Sequence, residues 1–235
     1  MSCRKLNTGF LPFPRRGQLA KQMNFSLRRL RRQLAHEQGT IYTYIVATIK
    51  HEDDQFVQTG SAPNFQGDLI TLCTCKHLMR TSMEVEGWQN NWVAGFTSIR
   101  IIPERKNALV YLMKVGEAFA SHRDLWFSST ITEKTKRAKA ADLHPFGDLY
   151  KPCKRHGNPY FHKNYFSPCP EHVHTPGGSW YRDVDYTGYS KRRPALLVGE
   201  LTHSFLWNKP LIFLDEKLGR WNKKWELAEF LEALL

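Results

Sequence analysis

The chain has 235 residues, of which 41% are hydrophobic and 13% aromatic, so it can bury a sizeable core and is not expected to be disordered throughout. No run of about 18 apolar residues is present, so the sequence predicts no membrane span, and the basic N-terminus lacks the apolar segment of a secretory signal. Five cysteines, an odd number, favour a reducing compartment with free thiols or a metal, and we expect a cytoplasmic protein.

The positive charge is concentrated near the N-terminus. Residues 1–36 contain nine Lys and Arg and no acid, whereas the other 199 residues contain 25 Lys and Arg against 22 acids. A concentrated basic segment attracts a polyanion and releases its counterions, so we predict that the partner is nucleic acid. A solubilising tail and a mitochondrial-type presequence are the alternatives.

The N-terminal segment is predicted to be an irregular arm over residues 1–16, followed by a helix over 17–38. Five apolar residues recur at helical spacing in the second part, namely Leu19, Met23, Leu27, Leu30 and Leu34. Four arginines lie beside or opposite this apolar face: Arg28, Arg29, Arg31 and Arg32. We expect the apolar face to dock on the core and the arginines to contact DNA phosphates.

The rest of the chain is predicted to consist of strands and helices with two notable loops, of which the longer is expected to bear function. β-Branched and aromatic residues predict strands over 41–49, 68–75, 91–102, 107–119, 194–201 and 209–216. Helices are predicted over 130–143, where Thr130 and Glu133 fit a capping box, and over 222–235. The acidic segment 51–64 and the segment 144–193, which is rich in Pro, Gly, His and Tyr, are predicted loops.

This order of elements predicts an α+β fold. We expect a single domain with a central mixed or barrel-like β-sheet flanked by helices. Residues 1–39 would form the basic arm and helix, and residues 40–235 would form the α+β domain.

Residues 59–80 place many polar side chains around one predicted strand. Pro63 and Asn64 predict a turn that presents an amide, and three basic side chains follow the strand end: Lys76, His77 and Arg80. Ligands often meet a sheet at the ends of its strands, so we expect a site here. The alternative is that the segment has no site and consists of an ordinary turn, a buried strand and basic side chains that are exposed to solvent after the strand.

The long loop contains paired Cys and His residues. Their spacing could hold a structural zinc ion, with Cys153, His156, Cys169 and His172 as ligands. The order of these residues is not that of a common zinc finger, so we expect neither a metal nor another cofactor. The histidines of this loop would then line a site or be exposed.

Aromatic, basic and acidic residues interleave after residue 178. Aromatic rings stack on bases and cations hold phosphates, so we assign Trp180 to a base pocket and Arg192 and Arg193 to DNA binding. Asp183 and Asp185 are predicted on one side of an extended strand, where a carboxylate could orient a water or stabilise a cationic transition state. An ordinary surface loop with ion pairs is the alternative.

Four segments between residues 41 and 127 together resemble the nucleotide modification associated domain proteins of bacteria and phages. They read YTYIVAT, GSAPNFQGDLITLCTCKHLMR, WVAGFTS and LVYLMKVGEAF, and the later HVH, WYRDVDY and PALLVGEL match more loosely. The family's Ala-Pro-Asn turn corresponds to Ala62, Pro63 and Asn64, and its strand end to Thr71, Leu72, Cys75 and Lys76, with Arg80 as the trailing arginine. The Gly-Asp that usually precedes the third strand is absent.

The resemblance implies work on DNA that carries modified bases. Some members of the family look like antiviral DNA glycosylases, which remove a hypermodified base from phage DNA and leave an abasic site. The chain is similar to that branch, and glucosylated hydroxymethylcytosine is the implied substrate class.

We therefore predict a monofunctional DNA N-glycosylase that flips a base into an aromatic-lined pocket. Asn64 would position the water or the base, and Asp183 or Asp185 would stabilise the cationic sugar or act as base. Lys76 and Arg80 would clamp a phosphate or the leaving base. The predicted base pocket consists of Tyr44, Phe65, Trp88, Trp92, His172, His174 and Trp180.

Three alternatives remain open at this point. A lyase would use Lys76 as a Schiff-base nucleophile, although nothing beside Lys76 in the sequence is expected to lower the pKa of its amine. A non-catalytic reader of modified DNA would use a PUA-like barrel and the same pocket. A zinc-stapled protein-interaction module would depend on the Cys and His residues of the long loop.

Overall fold

The computed structural model describes residues 13–170, 172, 179–189, 191–219 and 221–235. They form a single α+β domain in which helices flank a curled, mixed half-barrel sheet, so the predicted fold class is confirmed. No helix in this described part of the chain is both long and apolar enough to cross a membrane.

The central sheet is mixed. The strands are β1 (Thr40–Ile45), β2 (Ile49–Glu52), β3 (Gln55–Gln58), β4 (Thr71–Leu72), β5 (Trp92–Phe96), β6 (Asn107–Phe119), β7 (Leu196–Leu206), β8 (Phe213–Leu214) and β9 (Lys223–Glu226). Six of them follow the order β4-β7-β6-β5-β1-β9, β8 pairs with β6, and β2 and β3 form a separate hairpin. Strand β1 runs parallel to β5, and the other pairings are antiparallel.

The helices are short. They are α1 (Gln18–Lys21), α2 (Leu27–Gln33), α3 (His77–Arg80), α4 (His122–Phe127), α5 (Glu133–Lys139), α6 (Tyr181–Asp185) and α7 (Leu227–Glu232). Helices of this length are not stable by themselves, so packing against the sheet must hold them. Thr132, and not Thr130 as predicted, caps α5, because the Thr132 side chain accepts a hydrogen bond from Thr135 N.

The two faces of the sheet bury separate apolar clusters. Alternation along β5 places Val93 in one cluster and Trp92 and Ala94 in the other. The cluster that contains Val93 also packs the β2–β3 hairpin and the segment that precedes β4. The opposite cluster is covered by Leu30 of α2 and Phe230 of α7, so these two helices lie on the same face of the sheet.

The predicted strands occur in the expected places but differ in length. Strand β6 has the predicted bounds, whereas β7 is longer than predicted at Leu196–Leu206. Strand β4 has only two residues, because the chain then leaves the sheet and Cys73 N donates to the Asp148 carboxylate rather than to a strand. Strand β8 is equally short.

The prediction of one continuous helix over 17–38 is wrong. Helices α1 and α2 are separated by a segment that pairs with the end of β7, where Asn24 N donates to Leu206 O at 2.8 Å. Asn24 has a φ of 55°, which a helix does not allow. Helix α2 then starts afresh, and the Ser26 side chain accepts a hydrogen bond from Arg29 N.

Two short pairings were missed by the sequence pattern. The segment 222–235, predicted as a helix, begins with β9, which forms an edge beside β1 before α7 starts. The segment 51–64, predicted as a loop, contains most of the β2–β3 hairpin, whose turn residues Asp53 and Asp54 have φ values of 47° and 59°. Positive φ at both central residues is typical of a two-residue hairpin turn.

Candidate functional site

A cavity of about 380 Å³ lies beside the segment that follows β4. Its lining consists of Lys76, His77, Leu78, Met79, Tyr186, Trp221 and Asn222. Lys76 has a left-handed φ of 53° and directly precedes α3, so the chain turns sharply at this point. The volume is within the range of about 300–1,000 Å³ that is usual for ligand pockets. We call it the Lys76 cavity.

A carboxylate orients the histidine at the wall of this cavity. Asp183, on α6, is only 8% exposed, and its Oδ1 lies 2.8 Å from His77 Nε2. The ring of Tyr186 stacks on His77 with the centroids 4.6 Å apart. The imidazole is therefore held by a carboxylate at one nitrogen and by an aromatic ring on one face.

The second oxygen of Asp183 is also engaged. The hydroxyl of Tyr150 donates to Asp183 Oδ2 at 3.0 Å, and burial raises the pKa of Tyr150 well above its usual value, so the hydroxyl keeps its proton. The same hydroxyl lies 3.4 Å from His172 Nε2, and the Trp180 ring packs on Tyr150 at 5.1 Å. Two predicted pocket residues, His172 and Trp180, thus pack against Tyr150, behind the carboxylate.

A buried histidine supports Tyr150 from the other side. His122 is 2% exposed, and its Nδ1 accepts a hydrogen bond from Tyr150 N at 3.2 Å. Burial lowers the pKa of His122 to about 3. The imidazole of the folded protein is therefore mostly neutral near neutral pH.

Acid is expected to destabilise the fold through His122. Its pKa rises from about 3 in the folded protein to about 6.5 in the unfolded chain, so its stabilising contribution is complete above pH 6.5 and declines as the pH falls towards 3. At pH 5 the loss is on the order of 2 kcal/mol, or about 4–8 °C in Tm. Thermal unfolding of wild type and His122→Asn at pH 7 and pH 5 measures it.

The variant should lose less stability than wild type between the two pH values, because asparagine can accept the Tyr150 hydrogen bond but does not titrate. Exposed His156, replaced by Asn, is the matched control and should leave the pH dependence unchanged. An equal loss in His122→Asn and wild type would contradict the assignment.

Lys76 contacts an uncharged part of the interior. Its Nζ lies 4.9 Å from the centroid of the Tyr44 ring, and the hydroxyls of Tyr44 and Tyr111 are 2.9 Å apart. Burial raises the pKa of both tyrosines and lowers the pKa of Lys76. The Lys76 amine therefore holds its proton less tightly than a surface lysine.

Asp183 and Asp185 do not share one side of an extended strand, and that prediction is corrected. Both lie on α6, and their side chains reach different partners. The partly exposed Asp185 carboxylate accepts from His162 N at 3.0 Å and lies 2.6 Å from His162 Nδ1. Of the two carboxylates, Asp183 is the one joined to a residue that lines the Lys76 cavity.

The arginines that follow α6 have protein partners. Arg192 Nε lies 2.5 Å from Glu84 Oε1, and its side chain remains 39% exposed. Arg193 donates to Asp185 O at 2.6 Å, and its guanidinium lies 4.5 Å from the Tyr160 ring centroid. Their assignment to DNA binding stays a prediction.

Asn64 does not face the Lys76 cavity. It is 3% exposed, and its amide Nδ2 donates to Phe146 O at 2.9 Å. Its Oδ1 accepts hydrogen bonds from Gln66 N at 2.9 Å and from Lys139 Nζ at 3.2 Å. An amide that is buried and engaged at both ends cannot position a water, so we correct the predicted catalytic role to one of fastening the turn.

A buried polar network continues beneath this turn. Lys139 Nζ donates to Leu69 O at 2.8 Å, and burial lowers the pKa of Lys139 to about 8. The Asp148 carboxylate accepts from Thr71 Oγ1 at 3.1 Å and from Cys73 N at 3.3 Å, and burial raises its pKa. The network ties α5 and residue 148 to the segment around β4.

The substitution Asn64→Ala is expected to lower the free energy of unfolding by about 3 kcal/mol, because it leaves buried partners of the amide without hydrogen bonds. Chemical denaturation measures this loss, and the exposed Asn158, replaced by Ala, is the control. If Asn64→Ala abolished activity with an unchanged free energy of unfolding, Asn64 would act in the chemistry and our correction would be wrong.

Arg80 is a structural residue, and its prediction as a DNA contact is corrected. It is fully buried, and its guanidinium donates to three main-chain carbonyls: Cys75 O at 2.9 Å, Thr74 O at 2.5 Å and Ala195 O at 2.7 Å. These bonds join α3 to the start of β7. No phosphate could reach this guanidinium without displacing them.

Four of the predicted pocket aromatics lie in the core. Tyr44, Phe65, Trp88 and Trp92 are each at most 1% exposed. The Trp92 indole donates to Gln38 O at 3.1 Å, and Trp88 packs on Tyr42 with ring centroids 4.7 Å apart. The base-pocket prediction is corrected for these residues, and the aromatic lining of the Lys76 cavity comes instead from Tyr186 and Trp221.

Two remaining predictions concern the long loop. The predicted pocket residue His174 lies outside the described residues, so its place is not defined. Within the described residues, no group of three or more Cys, His, Asp and Glu side chains is arranged to hold a metal ion. The Cys153 thiol donates to Lys163 O, and the Cys169 sulfur lies 3.4 Å from Asp142 O.

Helix α2 presents an exposed basic surface, which we call the arginine ridge and define as Arg28, Arg29 and Arg32. The guanidinium of Arg29 lies 3.6 Å from the Phe25 ring centroid. Arg31 differs from the ridge, because it donates to Leu231 O at 2.9 Å and to Leu234 O at 3.1 Å and so ties α2 to α7.

The sequence analysis placed His77 at the expected site beside Lys76 but assigned no role to it, and it did not include Tyr150. The adjacency of His77 to Lys76 was a usable signal for such a role. Tyr150 and Tyr186 carry no such signal, because their contacts with Asp183 and His77 join distant parts of the chain.

A family described as nucleotide modification associated domain 2 matches residues 38–165, which is more than half of the chain. No curated protein and no solved structure matches the chain significantly. The matched region contains β1 to β6, Lys76 and His77, and it ends before α6, which carries Asp183.

Proposed function

Since the chain belongs to the nucleotide modification associated domain 2 family, we propose that it is a DNA glycosylase that excises a hypermodified cytosine from phage DNA and leaves an abasic site. The family's description connects it with nucleotide modification and hence with nucleic acid. Glucosylated hydroxymethylcytosine is the substrate class of the proposal.

The contact between Asp183 and His77 at the wall of the Lys76 cavity carries this proposal. A histidine held by a buried carboxylate is a common form of general base, because the carboxylate fixes the ring and stabilises the imidazolium that forms. The cavity beside it has the size of a ligand pocket and an aromatic lining. A site of this kind suits hydrolysis better than simple recognition.

The reaction breaks the bond between C1′ of the deoxyribose and the ring nitrogen of the base. The transition state resembles an oxocarbenium ion, so negative charge close to the sugar stabilises it. His77 takes a proton from a water molecule, whose oxygen adds to C1′ as the C1′–N bond breaks, and His77 then returns this proton to the departing base nitrogen. Asp183 acts through His77, and we therefore regard it as a positioning residue.

The aromatic lining accounts for binding of the extruded base. An enzyme that acts on a base in duplex DNA must flip it from the stack and compensate for the lost stacking. Tyr186, already stacked on His77, and Trp221, which is 69% exposed, offer ring surfaces at the cavity. The arginine ridge would contribute phosphate contacts that do not depend on sequence.

The test is to incubate the purified protein with phage DNA that contains glucosylated hydroxymethylcytosine and, in parallel, with the unmodified form of the same DNA. We expect mass spectrometry to detect the released modified base, and alkali to cleave only the modified DNA. Tight binding without base release would contradict the proposal and would identify a reader of modified DNA instead.

A further inference from the structure

We propose that Lys76 gives the protein a second activity, that of an abasic-site lyase, by forming a Schiff base with the sugar that remains after base excision. This inference rests on the proposed function, because excision would deliver the abasic sugar to the cavity that Lys76 lines. It concerns a different bond, however, and can be tested separately.

The position of Lys76 supports this role. It lines the same cavity as His77, which directly follows it in the chain, so the two residues border one ligand space. The left-handed φ of 53° lies at the junction with α3, where the chain turns into the cavity wall. Within the described residues, no carboxylate lies within ion-pair distance of the Lys76 amine, whereas Lys114 is paired with Glu37.

The environment favours a nucleophilic amine. A lysine attacks a carbonyl only in its neutral form, and burial disfavours the charged form and lowers the pKa of Lys76. The expectation from the sequence, that nothing beside Lys76 lowers this pKa, is therefore corrected by the structure. Burial also lowers the pKa of Lys139. The Lys139 amine, however, donates to main-chain carbonyls, and Lys139 does not line the cavity.

The proposed step balances without a further reactant. The Lys76 amine attacks the C1′ aldehyde of the open abasic sugar, and a C=N bond forms as one water leaves. His77 removes a proton from C2′, the C3′–O bond breaks, and the 3′ phosphate departs with the electron pair. Water then hydrolyses the imine, which returns the lysine and leaves an unsaturated aldehyde on the cleaved strand. No atom is oxidised or reduced by an outside agent.

The test uses a DNA duplex with one preformed abasic site, so that base excision is not required. Borohydride reduces the imine to a stable amine, and denaturing gels then show the trapped protein–DNA adduct. We expect wild type to form the adduct and to cleave the strand without alkali, and Lys76→Arg to lose both. Exposed Lys209, replaced by Arg, is the matched control and should retain both.

Peptide mapping of the wild-type adduct provides a second test that does not depend on the folding of Lys76→Arg. The proposal requires that the mapped modification lie on Lys76. An adduct on another lysine, no adduct at all, or equal trapping by Lys76→Arg would overturn the lyase proposal. Failure of the two proposals is distinguishable. Base release without a trapped adduct would support the glycosylase proposal and contradict the lyase proposal. A trapped adduct without release of a modified base would support the lyase proposal and contradict the glycosylase proposal.

Discussion

Replacement of Asp183 by Asn is expected to slow base excision by about 10²- to 10⁴-fold, the usual contribution of a positioned general base. The Asp183 carboxylate accepts a hydrogen bond from Tyr150 and lies 2.8 Å from His77 Nε2. An amide can accept on one side only and presents a donor on the other, so His77 loses the negative charge that stabilises it as an imidazolium. Single-turnover release of the modified base, at saturating protein, measures this effect.

The matched control for this substitution is Asp185→Asn, on the same helix. Asp185 is paired with His162, which does not line the Lys76 cavity, so we expect far less change in the rate. The substitution His77→Ala should cost as much as Asp183→Asn, and combining the two should cost little more, because the residues act as one unit. Near-normal excision by a folded Asp183→Asn variant would show that the contact serves the fold alone.

Replacing all three residues of the arginine ridge by Ala is expected to weaken binding to every DNA alike. Each arginine that neutralises a phosphate adds about 0.9 to the slope of log K against log salt concentration, so the slope should flatten by about 2.7. If the electrostatic contribution vanishes near 1 M salt, binding at about 0.1 M salt weakens roughly 500-fold. Fluorescence anisotropy over a series of salt concentrations, with modified and unmodified duplexes, measures both quantities.

Arg31→Ala separates this effect from a structural one. Arg31 lies on the same helix, but its guanidinium donates to carbonyls at the end of α7. We therefore expect a lower thermal stability with little change in the salt slope. A ridge variant that loses affinity for only one sequence or one modification would show that these arginines do not contact the phosphate backbone.

The predicted fold class follows from the sequence because its signals are local. The apolar run 107–119 is long enough to be a buried strand, and it forms β6 with the predicted bounds. The charged residues of β9 carry no such pattern, and they form a strand only because β1 offers an open edge. The interruption of the predicted helix at Asn24 could not be read from the sequence for the same reason. Pairing of this segment with β7 overrides a regular helical pattern.

The candidate site was predicted only in part. The sequence and the family resemblance led us to predict chemical roles for Lys76 and Asp183. In the structure Lys76 directly precedes His77 in the chain, and Asp183 contacts the His77 side chain. The same reasoning assigned Asn64 and Arg80 to the chemistry, although both side chains are buried and bonded to the main chain. Polar residues that hold a turn and polar residues that hold a substrate look alike in a sequence.

The sequence by itself determined which residue types are available and which segments are apolar enough to form the sheet, because both depend on side-chain chemistry and its spacing along the chain. Only the tertiary structure decided which polar groups face a cavity. Helix α6 brings Asp183 to His77 from more than a hundred residues away, and the packing around β4 encloses Asn64 and Arg80. Burial and long-range contact belong to the folded chain, and they determine whether a carboxylate, an amide or a guanidinium meets a ligand or the protein's own main chain.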